Sequence, residues 1–303
     1  MEQPLDAFKA VAEPSRLRLL ALCARGELTV TELTEVVGQS QPRVSRHLKV
    51  LCAAGLLDRF REHSWVYYRV PLTGTGAKLA RGLLQLVPQD DALLRLDRER
   101  LERVLTRRAE QVREQSVGEA VPTPAGVDAC IIDLMAGEAL GELLDIGTGT
   151  GRMLRLLGGG ARSAVGIDIS REMLVLARSN LHAAGLDHLS VRQGNMYQLR
   201  FADRSFDTVT IDQVLYQAED PAEVLREAAR VLRPGGRLLL AEFLSGEGAR
   251  GETEPACVTR ERLQQWCEQA GLCVESARQF SARPCPLVVT VLRRPTENEA
   301  VAA

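Results

Sequence analysis

The chain has 303 residues, 45% hydrophobic and 26% charged, which is enough for two ordinary globular domains with a core each. No stretch reaches the roughly 18 consecutive apolar residues of a membrane span, and Met1-Glu2-Gln3-Pro4 lacks the basic and apolar regions of a signal peptide, so a cytoplasmic protein with no membrane partner is expected. The formal net charge of −2 weighs on average against a nucleic-acid partner, yet residues 1–70 hold ten Lys and Arg against eight Asp and Glu, which places a small basic excess at one end.

Residues 5–57 read as short amphipathic helices. TVTELTEVVG, residues 29–38, predicts a short helix stopped by Gly38, and Ser40-Gln41-Pro42 restarts the chain with a capping residue and a proline in the first turn. In the helix that follows, Val44, Leu48 and Leu51 share one face, leaving Arg43, Arg46, His47 and Lys49 outward or sideways. Such a helix has the chemistry for the major groove, because Arg forks onto guanine and Gln onto adenine. Residues 57–70 predict a β-hairpin with Arg59, Arg61 and His63 near its tip, where a wing meets phosphate or minor groove.

Helical spacing returns over residues 75–87 and about 90–115. The second stretch is dense in Arg and Glu, with Leu93, Leu94, Leu96, Leu101, Val104 and Leu105 read as its inner side. It could connect domains, dimerise, or both. After Val121-Pro122-Thr123-Pro124 strands and helices alternate, the pattern of a parallel α/β sheet. The seven cysteines include no CxxC pair, so they are expected as buried free thiols rather than a disulfide framework or a zinc knuckle.

The segments AFKAVAEPSRLRLLALC, SQPRVSRHLKVLCAAGLL and HSWVYYRV resemble the first helix, recognition helix and wing of the ArsR/SmtB repressors, over about the first 70 residues. The resemblance implies a winged helix-turn-helix that binds a palindromic double-stranded DNA operator as a homodimer. Ser40, Gln41, Arg43, Ser45, Arg46 and His47 would face the DNA, together with Arg59 and Arg61 of the wing. The family's Cys-Val-Cys metal box falls on Thr29-Val30-Thr31, whose hydroxyls are poor substitutes for thiolates, so no metal is expected.

In LLDIGTGTG, residues 143–151, an apolar strand runs into Gly147, Gly149 and Gly151, and Met153, Leu154, Leu156 and Leu157 follow at helical spacing. Glycines there let a ligand approach the backbone, and an acid about 20 residues on can accept from ribose hydroxyls. Asp168 stands at that distance. Arg152 occupies the position where a dinucleotide fingerprint needs a small residue, so a nucleoside without pyrophosphate fits better than NAD.

LLDIGTGTG, VGIDIS, RQGNMYQL, FDTVTIDQVLY and LREAARVLRPGGRLLLAEF resemble the successive motifs of class I S-adenosylmethionine (SAM)-dependent methyltransferases, over about residues 125–243. The resemblance implies that Asp145, Gly147, Gly149 and Gly151 line the methionine part of SAM, with Asp168 and Ile169 at the ribose. Asn195 and Met196 would border the adenine, and Asp212 and Gln213 the sulfonium. Asn195 replaces the family's common Asp, though its amide oxygen can still accept from an amino group.

The expected fold class is α/β in two domains. A winged helix-turn-helix covers residues 1–88, a helical linker 89–120, and a Rossmann-like methyltransferase fold, its mostly parallel sheet closed by antiparallel strands, 121–295; a disordered tail fills 296–303. The two-domain arrangement resembles regulators that respond to S-adenosylhomocysteine (SAH), and the resemblance implies a transcriptional regulator, a repressor, whose operator affinity is set by SAM or SAH, for genes of the methionine cycle. The alternative is an active small-molecule methyltransferase with an autoregulatory DNA-binding domain. No catalytic residue is identified, because the sequence shows no acceptor site, and methyl transfer from a sulfonium can proceed by positioning alone.

Overall fold

The computed structural model describes residues 2–62, 65–71, 74–88, 91–115, 123–186, 188–245, 258–283 and 285–296. His63, Cys257 and all of the expected tail but Thr296 lie outside them. The chain divides into two compact units, Met1–Val117 with Arg178–Ser190, and Gly118–Ala177 with Val191–Ala303.

The first unit opens with α1 (Glu2–Val11), α2 (Pro14–Cys23), the short β1 (Leu28–Thr29) and α3 (Val30–Val37). Gly38 ends α3 in the left-handed conformation at φ 67°, and α4 (Gln41–Ala53) starts three residues later. Its period places Val44, Leu48 and Leu51 in the core with Leu19, Leu20, Leu33 and Val36. The antiparallel hairpin β2 (Asp58–Glu62) and β3 (Trp65–Arg69) follows, and β1 pairs with β3, giving the sheet order β1-β3-β2. Phe60 stacks on Tyr67, and the Arg69 guanidinium lies over the Phe60 ring.

Helices α5 (Gly74–Gln85) and α6 (Ala92–Gln115) complete the unit. Leu101, Val104 and Leu105 of α6 join the same core as α2, α3 and α4. Asp97, almost wholly buried, takes two 2.6 Å hydrogen bonds from Arg18 of α2. The apolar side of α6 begins later than its sequence implies: Leu93 and Leu96 are exposed, and the buried stripe runs from Leu101 to Ala109.

The second unit is built on a sheet whose strands lie side by side in the order Cys273–Phe280, Leu287–Arg293, Leu232–Ser245, Phe206–Asp212, Glu142–Ile146, Ser163–Asp168 and Ser190–Gln193. In chain order come α7 (Val127–Met135), β4 (Glu142–Ile146), α8 (Arg152–Leu157), β5 (Ser163–Asp168), α9 (Arg171–Ala183), whose final turns group with the first unit, β6 (Ser190–Gln193) and β7 (Phe206–Asp212). After them run α10 (Pro221–Val231), β8 (Leu232–Ser245), β9 (Val258–Thr259), α11 (Arg260–Gln269), β10 (Cys273–Phe280) and β11 (Leu287–Arg293). Strand β4 is parallel to both β5 and β7, β7 is parallel to β8, and β11 runs antiparallel to β8 and β10. The expected α/β fold, a mostly parallel sheet with antiparallel closing strands, is therefore the one observed. Strand order reverses between β4 and β7, since the chain leaves β4 toward β5 and returns on its other side; the carboxyl ends of strands flanking such a reversal open a crevice for ligands. The two apolar faces of the sheet supply the core, with Leu144, Ile146, Val209, Ile211, Leu238 and Leu240 fully buried.

Among the described cysteines, Cys23 and Cys267 are buried free thiols as expected, while Cys52 and Cys130 are half-buried and Cys273 is exposed. Cys285 departs from the expectation and is disulfide-bonded.

Candidate nucleic-acid interface and nucleoside crevice

The outward face of α4 carries Gln41, Arg43, Ser45, Arg46 and Lys49, all exposed, because the inward positions are taken by the three core residues. Ser40 sits at the N-cap position with extended backbone, but its side chain makes no capping hydrogen bond. Its exposed hydroxyl is therefore not spent on the helix, which revises its reading as a capping group. His47 is also revised: it is half-buried, and its Nδ1 lies 3.7 Å from Glu13 Oε2 at the entrance of α2. Glu13 itself is held by the Arg16 backbone N–H at 2.8 Å. His47 is thus turned toward the scaffold, and the open basic groups are Arg43, Arg46 and Lys49. Arg59 and Arg61 are exposed on β2, where Arg59 also hydrogen-bonds the Tyr68 side chain.

At the place of the family's metal box, Thr29 is buried and caps α3. The Glu32 N–H donates to Thr29 Oγ1 at 3.3 Å, and the Thr29 N–H donates to Glu32 Oε2 at 2.7 Å, a reciprocal capping box. Arg108 of α6 pairs with the other Glu32 oxygen. Thr29 here is a structural brace. Among the described residues no three His, Cys, Asp or Glu side chains converge as a metal site requires.

In the second unit, the loop after β4 holds Gly147, Gly149 and Gly151 at φ 68°, 51° and 81°. Their reasons differ. A Cβ on Gly147 would lie 2.3 Å from Val214 Cγ2, so that glycine lets the loops after β4 and β7 close against each other. A Cβ on Gly151 would meet Ala177 of α9 at 3.4 Å. Only Gly149 faces open space, with nothing nearer than the Gly147 carbonyl at 3.9 Å. Gly149 also donates its N–H to Asp168 Oδ2 at 2.9 Å, tying the loop to the end of β5.

Asp168 Oδ1 accepts from the Ser170 N–H at 2.8 Å, so the carboxylate is fixed at the strand end. Beside it Ile169 is 71% exposed, an apolar side chain with no core to fill. Asn195 is exposed, and its Oδ1 accepts from the Tyr197 N–H at 3.0 Å; the oxygen expected to face an adenine amino group is already engaged in a turn. Met196 is half-buried against the core beneath it.

Asp145 differs most from its expected place. It is 1% exposed, with Oδ2 accepting from Thr148 Oγ1 and Oδ1 from Thr210 Oγ1, both at 2.6 Å. Burial outweighs those two bonds and pushes its carboxyl up to about 7. It braces the glycine loop against β7 from within and does not line the crevice. At the end of β7, burial likewise raises the Asp212 carboxyl against the pull of Arg152, whose Nη1 lies 2.6 Å away. Gln213 follows at φ 56°, a left-handed backbone that non-glycine residues rarely adopt, and donates to Asp212 Oδ1 at 3.3 Å. Sequence reasoning passed over two members of this region. In the sequence Arg152 stands out only for its size, and Asp128 in the first turn of α7 carries no motif; the same guanidinium pairs with both Asp212 and Asp128. Glu242, from the middle of an apolar strand, was also missed. It is wholly buried, accepts from Leu215 N–H at 2.8 Å and Phe243 N–H at 3.0 Å, and burial pushes it up to about 7.

Residues 13–59 match the family described as bacterial regulatory protein, arsR family, and residues 144–240 match the methyltransferase domain family. A ubiquinone/menaquinone biosynthesis C-methyltransferase of Roseobacter denitrificans is 41% identical over 118 residues, 37% of this chain and 46% of that protein. The 27-O-demethylrifamycin SV methyltransferase of Amycolatopsis mediterranei is 34% identical over 167 residues, 50% of this chain and 60% of that one. An arsenite methyltransferase of Aquipseudomonas alcaligenes is 33% identical over 142 residues, 44% of this chain and 38% of the other. The chain thus spans about half the length of the curated relatives it matches. A crystal structure described as a putative methyltransferase from Bacillus halodurans superposes with a TM-score of 0.52 at 19% identity, over 57% of this chain and all of that one, which speaks to the fold alone.

The class defined by fold and site is an arsR-type helix-turn-helix joined in one chain to a methyltransferase domain of Rossmann-like fold. A methyltransferase domain implies SAM as its cofactor, and the crevice fits it. Open space over Gly149 would admit a ligand to the backbone, the fixed Asp168 carboxylate has lone pairs left for ribose hydroxyls, and the bare Ile169 offers an apolar surface for a base. No helix among the described residues is long and apolar enough to cross a membrane.

Proposed function

We propose that the protein is a DNA-binding transcriptional regulator, a repressor, whose operator affinity is controlled by SAM or SAH bound in the crevice of the methyltransferase domain. It binds a palindromic operator as a homodimer and acts on genes of the methionine and SAM cycle. One observation carries the reading. The chain pairs an open basic face on α4 with a glycine loop that leaves Gly149 uncovered beside the fixed Asp168 carboxylate, while the position from which arsR relatives take a metal is consumed by the Thr29–Glu32 cap. Ligand acts as a switch only if the DNA-competent and DNA-incompetent states bind it unequally; a coupling of about 1–3 kcal/mol corresponds to a 5- to 150-fold change in operator affinity.

The test is operator binding by the purified full chain at fixed salt, with no ligand, with SAM and with SAH, on a DNA fragment selected by the protein from a random pool. Affinity changing with either nucleoside supports the regulator, and identical affinity in all three arms overturns it. A second reading, methyl transfer to a small molecule, is favoured by the loop after β7. Its left-handed Gln213 and the buried Glu242 that holds Leu215 fix a rigid rim, where named methyltransferases are the relatives. Product formed from labelled SAM and lost in Asp168→Ala would favour that reading.

A further inference from the structure

Helix α9 is divided between the two units: its residues up to Ala177 group with the second, and those from Arg178 on with the first. Its head is tied to the end of β5. Asp168 Oδ1 accepts from the Ser170 N–H at 2.8 Å, and Ser170 Oγ accepts in turn from the Met173 N–H at 3.2 Å, in the first turn of the helix. Leu174 and Ala177 are fully buried, and a helix packed this closely shifts as one piece. Arg178 stands about two turns from the head, roughly 10 Å at 1.5 Å per residue.

Within the first unit Arg178 Nε donates to Glu27 Oε2 at 2.9 Å, and Arg69 Nη1 of β3 donates to the other Glu27 oxygen at 2.8 Å. All three residues are at most 7% exposed. The Arg178 guanidinium also lies 4.2 Å from the centre of the Tyr67 ring, the ring that stacks on Phe60. One turn on, His182 Nδ1 lies 3.2 Å from the Arg25 carbonyl oxygen. Glu27 directly precedes β1, which pairs with β3 at Leu28–Tyr68 and Thr29–Tyr67; β3 in turn sets Tyr68 opposite Arg59 and Val66 opposite Arg61 of β2. The cluster thus grips the strands that present the wing's two exposed arginines. A buried carboxylate held by two guanidinia has little freedom, because drawing one partner away strips a charge-assisted bond from a group that water does not reach. These ion pairs are structural ties, and a tie that resists stretching passes a displacement of Arg178 on to Glu27 and Arg69.

We propose that α9 carries nucleoside occupancy to the wing, with the Arg178–Glu27–Arg69 cluster as the coupling point. Ribose hydroxyls on Asp168 share its carboxylate with the Ser170 N–H, so they favour one position of the turn that starts α9. That preference is the unequal binding of two states that a switch requires. Arg178 and Glu27 are positioning residues in this scheme, acting on DNA through β3 and β2. The role rests on the reading that SAM or SAH binds in the crevice and controls operator affinity.

The test measures operator affinity of the full chain with and without the nucleoside, SAM or SAH, that shifts it in the wild type, and nucleoside affinity in the absence of DNA. Arg178→Met keeps an unbranched side chain and leaves Glu27 paired with Arg69, so no buried charge is stranded. Its ratio of operator affinities should fall to within about twofold of one, against about 5- to 150-fold at full coupling, while nucleoside affinity stays within about twofold of the wild type. Glu27→Gln, which removes the shared charge, should behave alike, and Arg178→Lys, which keeps a charged donor for Glu27, should retain part of the ratio. Trp65 opens β3 and is 48% exposed, and in Trp266→Phe it is the one tryptophan of the chain. In that background the nucleoside should change quenching of Trp65 by acrylamide, and adding Arg178→Met should abolish the change, which a loss of stability alone does not do. A full wild-type ratio in Arg178→Met and Glu27→Gln overturns the role of α9 and leaves the regulator intact. Loss of nucleoside affinity in both variants assigns the cluster to the fold and overturns the role as well. A wild type whose operator affinity ignores both nucleosides overturns the regulator and this coupling with it.

Discussion

Replacing Asp145 with Asn removes a charge that the folded methyltransferase domain resists. The carboxyl lies fully inside, and burial lifts it from 3.8 to about 7 despite hydrogen bonds from Thr148 and Thr210. In the unfolded chain the same group ionises near its ordinary value. Below pH 3.8 both states keep the proton, and the folded state holds its full advantage. Between about pH 4 and 7 the unfolded chain gives up the proton while the folded one does not, so stability falls as pH rises. Three pKa units at 1.36 kcal/mol each amount to roughly 4 kcal/mol from this one residue. An amide in its place cannot ionise. One threonine hydroxyl still donates to its oxygen, and the other can rotate to accept from its NH2. Asp145→Asn should therefore flatten the decline between pH 4 and 7 and exceed the wild type in stability at pH 8. The protein has two tryptophans, Trp65 in the first unit and Trp266 packed on the second unit's core, so Trp65→Phe leaves a reporter of the second unit alone. Urea unfolding followed by Trp266 fluorescence across that pH range is the assay. Parallel slopes for wild type and Asp145→Asn would refute the reasoning. Glu242, raised to about 7 from 4.5, adds a decline of the same sign that persists in the variant.

Gly147→Ala should destabilise the second unit by about 1–3 kcal/mol, since its Cβ would overlap Val214 at 2.3 Å on a left-handed backbone, and adding Val214→Ala should recover part of the loss in the same unfolding assay. Arg46→Ala, at an exposed position of α4, should leave stability within about 0.5 kcal/mol. It should weaken DNA binding and, if Arg46 meets a phosphate, lower the slope of log affinity against log salt by about 0.9; an unchanged slope with lost sequence preference would place it on a base instead.

Elements governed by period were legible in the sequence. Val44, Leu48 and Leu51 set the orientation of α4 regardless of what surrounds it, and the run of motifs from LLDIGTGTG to LLLAEF laid out the strands of the sheet. Side-chain direction at the site was not legible. Asp145 sits where ligand acids sit in the motif, but the parallel pairing of Asp145 with Thr210 across β4 and β7 turns it toward a hydroxyl 65 residues away. Asn195 is diverted by its own turn, and His47 by Glu13 from another helix. Asp128 and Glu242 had no signal at all. Each gains its meaning from a partner distant in sequence, which neither composition nor spacing can report.

The brace at Thr29 bears on how a signal can reach the DNA-reading helix. Thr29 fixes the first turn of α3 through Glu32, and Glu32 is paired with Arg108 near the C-terminal part of α6. Arg107 holds Glu35 one turn further along α3 at 2.7 Å, Arg100 donates to the Val36 carbonyl, and Asp97 anchors Arg18 of α2. Helix α6, which leads in sequence toward the methyltransferase domain, is therefore tied at successive turns to the two helices that support α4. A displacement of α6 would be felt first at α3. Thr29→Ala removes the cap and should cost about 1 kcal/mol of stability in the first unit, with ligand-free DNA affinity nearly unchanged because α4 keeps its own core contacts. Arg108→Met removes the tie between α6 and that cap. If the nucleoside acts through α6, the ratio of operator affinities with and without SAH should shrink toward one in Arg108→Met, while SAH affinity measured without DNA stays at the wild-type value. A full ligand response in that variant would mean that α6 is part of the scaffold and that the signal travels by another route.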